Sequence, residues 1–468
     1  MNFKILKYLG LTLSIFAGIT SCKVSQKYSV PETGYSNNYR DTTVVDTSSM
    51  AQMQWQDIIS DSVLQNLIEE GLENNLDLKY AIQNIYQAEA TLQQAKLTMF
   101  PSLEGGAQVT RSKSSKAALN FPDGIDINLK TTTYEASLSS SWEIDVWGKL
   151  RSNKRAALAA FLSSEASTRA VQTQLIADIA SYYYNLLALD EQLRITKQTL
   201  ENRKVDQETM KALKESAVVD GAAVVQSEAS RYQVEVSIPD IEVSIRETEN
   251  ALSILLGREP GRIERTSLEV QQAISDLEIG VPSSLLINRP DIQAAELAFR
   301  NAFENTNVAR KYFYPSLTLT ASGGLSSLDI NNFFNQSIFY SIIGGLTQPI
   351  FAQGENKARL KTNEALQQQA FYDYKLTWLT ATEEVSNALF SYNKAIEKQT
   401  ARTNQITALE KSVEFTKSLL EYSSSTNYTD VLTSQQNLLS AQISGINDKL
   451  QELEAIIQLY RALGGGWK

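Results

Sequence analysis

No proline or glycine interrupts the 66 residues from Leu150 to Glu215. Within them, apolar side chains at Val171, Leu175, Ile179, Tyr182, Leu186, Leu189 and Leu193 step by four and three. Six steps over 22 residues give a period near 3.67, which predicts a nearly straight helix. At about 1.5 Å per residue it would reach roughly 100 Å, longer than any single globular core. The chain then breaks at residues Ala217 to Ala222, resumes as a helix through Leu256, and is closed by Gly257 and Pro260. A second long helix is predicted from about Glu355 to Tyr422, a turn at SSSTNYT, and a return helix from Asp430 to Leu463 capped by Gly464.

This likeness between the two parts extends further. Residues 75–103 and 289–317 align without a gap at an offset of 214, with seven identities in 29 pairs: Asp77 with Asp291, Ala81 with Ala295, Ala88 with Ala302, Ala95 with Ala309, and Pro-Ser-Leu with Pro-Ser-Leu. Alanine every seven residues leaves a narrow stripe along which helices approach closely. Each Pro-Ser ends a helix and opens a strand, because proline breaks the helix and disfavours helical geometry at Phe100 and Tyr314 before it. The chain therefore reads as a tandem duplication of helix, hairpin, long helix, tip turn and return helix, over residues 61–280 and 281–468.

The strands are expected at about Leu103 to Arg111, Thr133 to Glu143, Ser316 to Leu325 and Ile338 to Pro349. In the second, Tyr134, Ala136, Leu138 and Trp142 alternate with Glu135, Ser137, Ser139 and Glu143. Alternation over about ten residues suits a membrane β-barrel, apolar outside and polar inside, although an edge hairpin of a soluble sheet alternates too. Four strands cannot close a barrel in lipid, where the smallest barrels have about eight and open edges do not survive. Two copies would give eight strands, too narrow for a channel. Three would give twelve strands and twelve long helices.

At the other extreme of the chain, MNFKILKYLGLTLSIFAGITSC has the lysines, short apolar run and small residues of a secretory leader. Its end, ITSC, is similar to a bacterial lipobox, which makes residues 1–21 a signal peptide, Cys22 an acylated N-terminus and 22–60 an extended tether. An ordinary leader with an incidental cysteine is the alternative. Losing Lys4 and Lys7 with the leader takes the net charge from −10 to −12, which disfavours a nucleic-acid partner. Histidine is absent and Cys22 is the single cysteine. No His triad, His-ligated metal site, thiolate cluster or intrachain disulfide can be built, and no cofactor or metal is expected.

Four stretches carry a specific resemblance: VPSSLLINRPDIQAAE (Val281 to Glu296), SWEIDVWGKLR (Ser141 to Arg151), ALSILLGREPG (Ala251 to Gly261) and YRALGGGW (Tyr460 to Trp467). They resemble the TolC-like outer membrane efflux factors, in the lipoprotein subgroup that works with resistance-nodulation-division pumps. The resemblance implies a mainly α fold with a membrane β-barrel part, a homotrimer forming a 12-stranded β-barrel on a 12-helix α-barrel, a periplasmic adaptor and an inner-membrane pump as partners, and outer membrane lipid around it. The implied role is a passive export duct, not an enzyme; a periplasmic scaffold or adaptor lipoprotein without a pore is the alternative.

Site residues follow from the same resemblance. Asn427 to Leu432 matches the segment after the second tip turn, where acidic residues ring the constriction in the family, so Asp430 would supply three carboxylates around a threefold axis. Capping of the return helix is its other reading. Thr433 stands where the family can have a second acid, and Val224 where the first tip often has Asp. Asp220, Gly221, Thr426, Asn427 and Tyr428 are the candidate adaptor contacts. Trp142 and Trp147, near a strand end, are candidate anchors at the lipid headgroups or core packers. Pro290 and Asp291 suit the first turn of a helix.

Overall fold

The computed structural model describes residues 26–31, 50–118, 128–272, 288–422 and 427–467. Its helices are α1 (Trp55–Ile58), α2 (Ser62–Asn74), α3 (Leu76–Leu97), α4 (Lys149–Glu215), α5 (Gly221–Leu255), α6 (Pro290–Lys311), α7 (Glu355–Tyr422) and α8 (Tyr428–Leu463). Its strands are β1 (Ser102–Lys113), β2 (Lys130–Ile144), β3 (Ser316–Ser327) and β4 (Ile338–Thr347). The expected 66-residue helix is α4, 67 residues long, and the order helix, hairpin, long helix, return helix occurs twice. Among the described residues no helix is long and apolar enough to cross a membrane.

The chain forms two compact units, and neither is a sequence half. One comprises Tyr86–Ser163 and Glu296–Asp373 with residues 26–31. It holds one antiparallel sheet in the order β1-β2-β3-β4. Its helical part is tied by buried polar groups: Arg155 meets Glu304 through two hydrogen bonds of 2.6 and 2.9 Å, and the Lys311 ammonium donates to the Gly148 carbonyl (2.9 Å) and Ser152 Oγ (2.5 Å). Chain 26–31 lies along α6. Asn307, fully buried, accepts from the Gln26 N–H and donates to its carbonyl, both at 3.1 Å, while the Tyr28 ring packs edge-on to Phe303.

The other unit comprises the described parts of Thr33–Ile85, Ser164–Ala295 and Tyr374–Lys468. Here the two halves build the same joint. Asn75 donates its side-chain amide to the Leu255 carbonyl at 2.9 Å; at the offset of 214, Arg289 donates to the Ala462 carbonyl at 2.9 Å. Beside each joint a helix ends in a left-handed glycine, Gly257 (φ +70°) and Gly464 (φ +92°). A Cβ would lie 2.4 Å from the Asn74 carbonyl oxygen at the first and 2.5 Å from the Asn288 carbonyl at the second, so no other residue fits. Arg289 is further held by Asp291 and Glu384, and the Trp467 indole donates to the Asn288 carbonyl at 2.8 Å. The sequence stretches around Arg289 and Trp467 are thus one packed joint. Pro290 opens α6 with Asp291 in its first turn, as expected.

One expectation is corrected. The sequence predicts an extended tether to residue 60, but a short 3-10 turn at Met50–Gln52 and helix α1 precede that point, with Met50, Trp55, Ile58 and Ile59 buried in the main core. A four-residue helix is too short for periodicity to reveal. Next to it Asp61 caps α2, accepting from Val63 N–H at 2.9 Å, and receives hydrogen bonds from Tyr183 (2.8 Å) and Gln271 (2.7 Å) as well as Thr266. Burial alone would raise its pKa, but the bonds from Thr266, Tyr183, Gln271 and the Val63 N–H hold it below the ordinary 3.8. Asp448 is likewise depressed: burial acts upward and is outweighed by Arg402 and Lys398.

A group whose folded pKa is lowered stabilises the fold fully above its unfolded value and ceases to do so as pH falls through the folded one. Thermal or denaturant midpoints are therefore expected to hold from neutrality to about pH 4 and drop below it. Asp61→Asn should cost about 1–2 kcal/mol at pH 7 and flatten that acid slope, as read by denaturant melts followed through tryptophan fluorescence across pH.

Candidate functional site: an amphipathic sheet and the helix tips

The register decides which side chains share a face of the sheet. Across β1 and β2, Leu103, Gly105, Ala107 and Val109 oppose Ser140, Leu138, Ala136 and Tyr134. These continue to Ala321, Gly323 and Leu325 on β3 and to Ile342, Tyr340 and Ile338 on β4. Directly opposed residues of an antiparallel pair project to the same side, so one face is apolar almost throughout. Leu103, Val109, Leu138, Ile338, Tyr340, Ile342 and Leu346 are exposed on it. The other face carries Glu104, Gln108, Glu135, Ser137, Ser139, Thr318, Thr320, Ser322 and Ser341, with Gln108 donating to Glu135 at 3.2 Å. Ten residues tilted by about 40° rise roughly 25 Å, the height of a membrane-spanning apolar band.

The two Pro-Ser crossings lie at the entry to this sheet, and each is gripped by a tryptophan. Trp142 donates its indole N–H to the Met99 carbonyl at 3.0 Å, and Trp147 to the Pro315 carbonyl at 2.8 Å. The Trp147 ring also lies 5.0 Å from that of Tyr314. Both are half-buried. The indole thus satisfies backbone carbonyls at the turn where helix becomes strand.

In the other unit the ends of α4, α5, α7 and α8 meet in a small core of Met210, Tyr428, Val431 and Leu432 with Leu213, Ala223, Val224 and Leu420 around it. Val224 packs its apolar side chain against this core. Asp220 caps α5, accepting from the Ala223 N–H at 3.0 Å, and both Asp220 and Gly221 are exposed. Helix α4 ends in the hydrogen-bond pattern of Gly257, Val218 N–H to Leu213 carbonyl and Ala217 N–H to Lys214 carbonyl, both 2.9 Å, but with Ala217 at φ +58°. Asn427 caps α8 and forms a reciprocal capping box with Asp430: Asn427 Oδ1 accepts from the Asp430 N–H at 3.2 Å, and Asp430 Oδ2 from the Asn427 N–H at 3.3 Å. The return helix consequently begins at Tyr428, two residues before the expected Asp430.

Asp430 remains exposed while it caps, and the Thr433 hydroxyl donates to the Thr429 carbonyl at 2.8 Å. Tyr428, expected among the adaptor contacts, is turned into the tip core and 4% exposed. An aromatic one residue past the cap packs inward, so its side chain offers no surface. Cys22 and Thr426 lie outside the described residues.

A model of the family described as "Outer membrane efflux protein" matches residues 67–258 and 281–465. The chain belongs to this family. It is 30% identical over 480 residues to the probable efflux pump outer membrane protein TtgC of Pseudomonas putida, covering 99% of this chain and 96% of that one. Among solved structures it is similar to the Neisseria gonorrhoeae MtrE outer membrane channel in its open state, with 26% identity, a TM-score of 0.84 and coverage of 96% and 99%. It is also similar to the Campylobacter jejuni CmeC outer membrane channel, at 25% identity, a TM-score of 0.86 and 95% coverage of both chains.

For an efflux protein of this kind the sequence reading missed two sets of residues. Asn75 and Arg289 occupy equivalent positions with different chemistry, so counting identities passed over them. Arg203, a charged residue within a long helix that no motif or spacing singles out, is 1% exposed.

Two outcomes are expected. Leu138→Lys places a charge on the apolar face at mid-strand and should cost about 2–4 kcal/mol in a bilayer, whereas Ser139→Lys next to it should insert normally; folding into liposomes, followed by heat-modifiable gel migration, separates them. Ala217→Gly should stabilise the tip by about 0.5–1 kcal/mol by relieving the left-handed alanine, and a tip-located fluorophore should report a later local melt.

Proposed function

We propose that three copies of this chain form the outer membrane export duct of a tripartite efflux system, a passive conduit that receives its cargo from a periplasmic adaptor and an inner-membrane pump. The observation that carries the reading is the sheet: an apolar face of membrane height backed by a polar face, with both outer edges, on β1 and β4, unpaired among the described residues. In lipid those edges need partners. Strands β1 and β4 run in opposite directions, so β4 of one copy can pair antiparallel with β1 of the next, and three copies close twelve strands. Exposed apolar side chains at Val225, Tyr232, Val236 and Val243 of α5 recur at heptad-related steps and give neighbouring copies a helical seam to bury.

The duct is lipid-anchored through Cys22 in this reading. From Cys22 to Gln26 is four residues, at most about 14 Å of extended chain, and Gln26 is fixed to Asn307 on the helix leading into β3. An acyl chain so tethered reaches the same bilayer as the apolar face. Trp142 and Trp147 then stand near the headgroups. Residues 61–280 and 281–468 are the duplicated halves. Asp430 from three copies rings the tip, filtering for cations and resisting closure by mutual repulsion. Asp220, Gly221 and Asn427, all exposed, are the tip residues available to an adaptor.

In planar bilayers the purified protein is expected to give small, cation-preferring channels. Asp430→Asn keeps an oxygen for the Asn427 N–H and should lose cation preference with the tip helix intact. Asp430→Ser should lose both and raise conductance several-fold. Absence of channels from wild type and both variants, or a detergent-solubilised monomer by light scattering, would overturn the duct.

A further inference from the structure

Arg203 of α4 is enclosed without a carboxylate partner. Its Nη1 donates to Gln435 Oε1 on α8, while Nε and Nη2 have no hydrogen-bond partner among the described residues. The Tyr428 hydroxyl lies close enough to the guanidinium and to Ser227 for weak hydrogen bonding with both, but among the described residues it makes no well-formed bond. The nearest acid, Asp206, is occupied: Gln435 donates to it at 2.8 Å and Lys417 of α7 approaches to 3.4 Å. A guanidinium keeps its proton at any ordinary pH. Burying it with two nitrogens unsatisfied is strongly unfavourable unless something negative joins it.

Beside it lies a cleft of about 250 Å³, against roughly 30 Å³ for a water in the liquid. Arg194, Arg203 and Lys417 line it with the amides of Gln198, Asn202 and Gln435, and none of its lining residues is acidic. Arg194 is already paired with Glu191. The surplus is therefore one buried guanidinium, with Tyr428 beside it, at a cleft whose charged side chains are all cationic. Such a donor set is satisfied by an anion, whereas a neutral water would leave the charge uncompensated.

We propose that this cleft between α4, α7 and α8 binds a small inorganic anion, phosphate-sized or smaller, against Arg203 and Tyr428. The bound anion bridges α4 to the first turn of α8, the turn that also holds Asn427 and Asp430, and so stabilises the packed tip. Emptying the site leaves the buried charge bare and loosens that contact.

The test is thermal unfolding of the full-length protein in detergent, titrated with sodium phosphate or sodium chloride against a bulky organic sulfonate at constant ionic strength. Wild type should show a saturable rise of about 2–4 °C with phosphate or chloride. In Arg203→Met the rise should vanish, with a melting temperature in sulfonate at or above that of wild type, because the bare charge is gone. Tyr428→Phe, which keeps the ring in its core, should move the midpoint about tenfold higher in anion. A wild-type response that follows ionic strength alone overturns the site, as does an unchanged midpoint in both variants; if Arg203→Met does not fold, the Tyr428→Phe midpoint decides. The assay reads no channel activity, so its result is independent of the duct.

Discussion

Backbone hydrogen bonding in a medium without water is the constraint on which the rest of this protein depends. The inner edges of the four-stranded sheet pair strand to strand, but among the described residues the outer edges of β1 and β4 have no partner. With the apolar face directed to hydrocarbon, each unanswered group costs several kcal/mol. Among the described residues the chain offers no internal remedy, because its other long elements are helices. Closure by identical copies meets the requirement and imposes a rotational symmetry, which in turn makes any residue near the axis count once per copy. The gate role proposed for Asp430 has meaning only through that multiplication.

The helical unit solves a different problem twice. Each half must end a return helix against the start of the following structure, and both do so with a left-handed glycine pressed on a backbone carbonyl and a side-chain donor on the helix's last carbonyls. The donors have diverged. Asn75 is a neutral amide, while Arg289 brings a charge that draws in Asp291, Glu384 and, through Glu384, Arg461. Geometry was retained while chemistry changed, which is why the duplication is plainer in the fold than in the residue identities.

At the tips, Asp430 joins an observed role, the helix cap, to the proposed one at the gate. The Asp430 carboxylate completes a capping box and stays exposed, so its charge is available to the lumen of an assembled duct while its oxygen orders the first helical turn. Directly beneath, Tyr428 fills a small apolar core that also touches a buried arginine.

Periodicity and punctuation determined much of this from the sequence alone. The two helices of more than 60 residues, the four strands and their faces, the Pro-Ser crossings and the left-handed glycines all express local geometry, and each was legible in residue type and spacing. The short helix α1 was not, because four residues carry no period. Only the tertiary structure decided that Trp142 and Trp147 clasp the two crossings, that Tyr428 points inward, and that Arg203 is enclosed. These depend on which helices lie side by side. Spacing along one helix fixes the face a side chain occupies, but what that face meets is settled by elements hundreds of residues away.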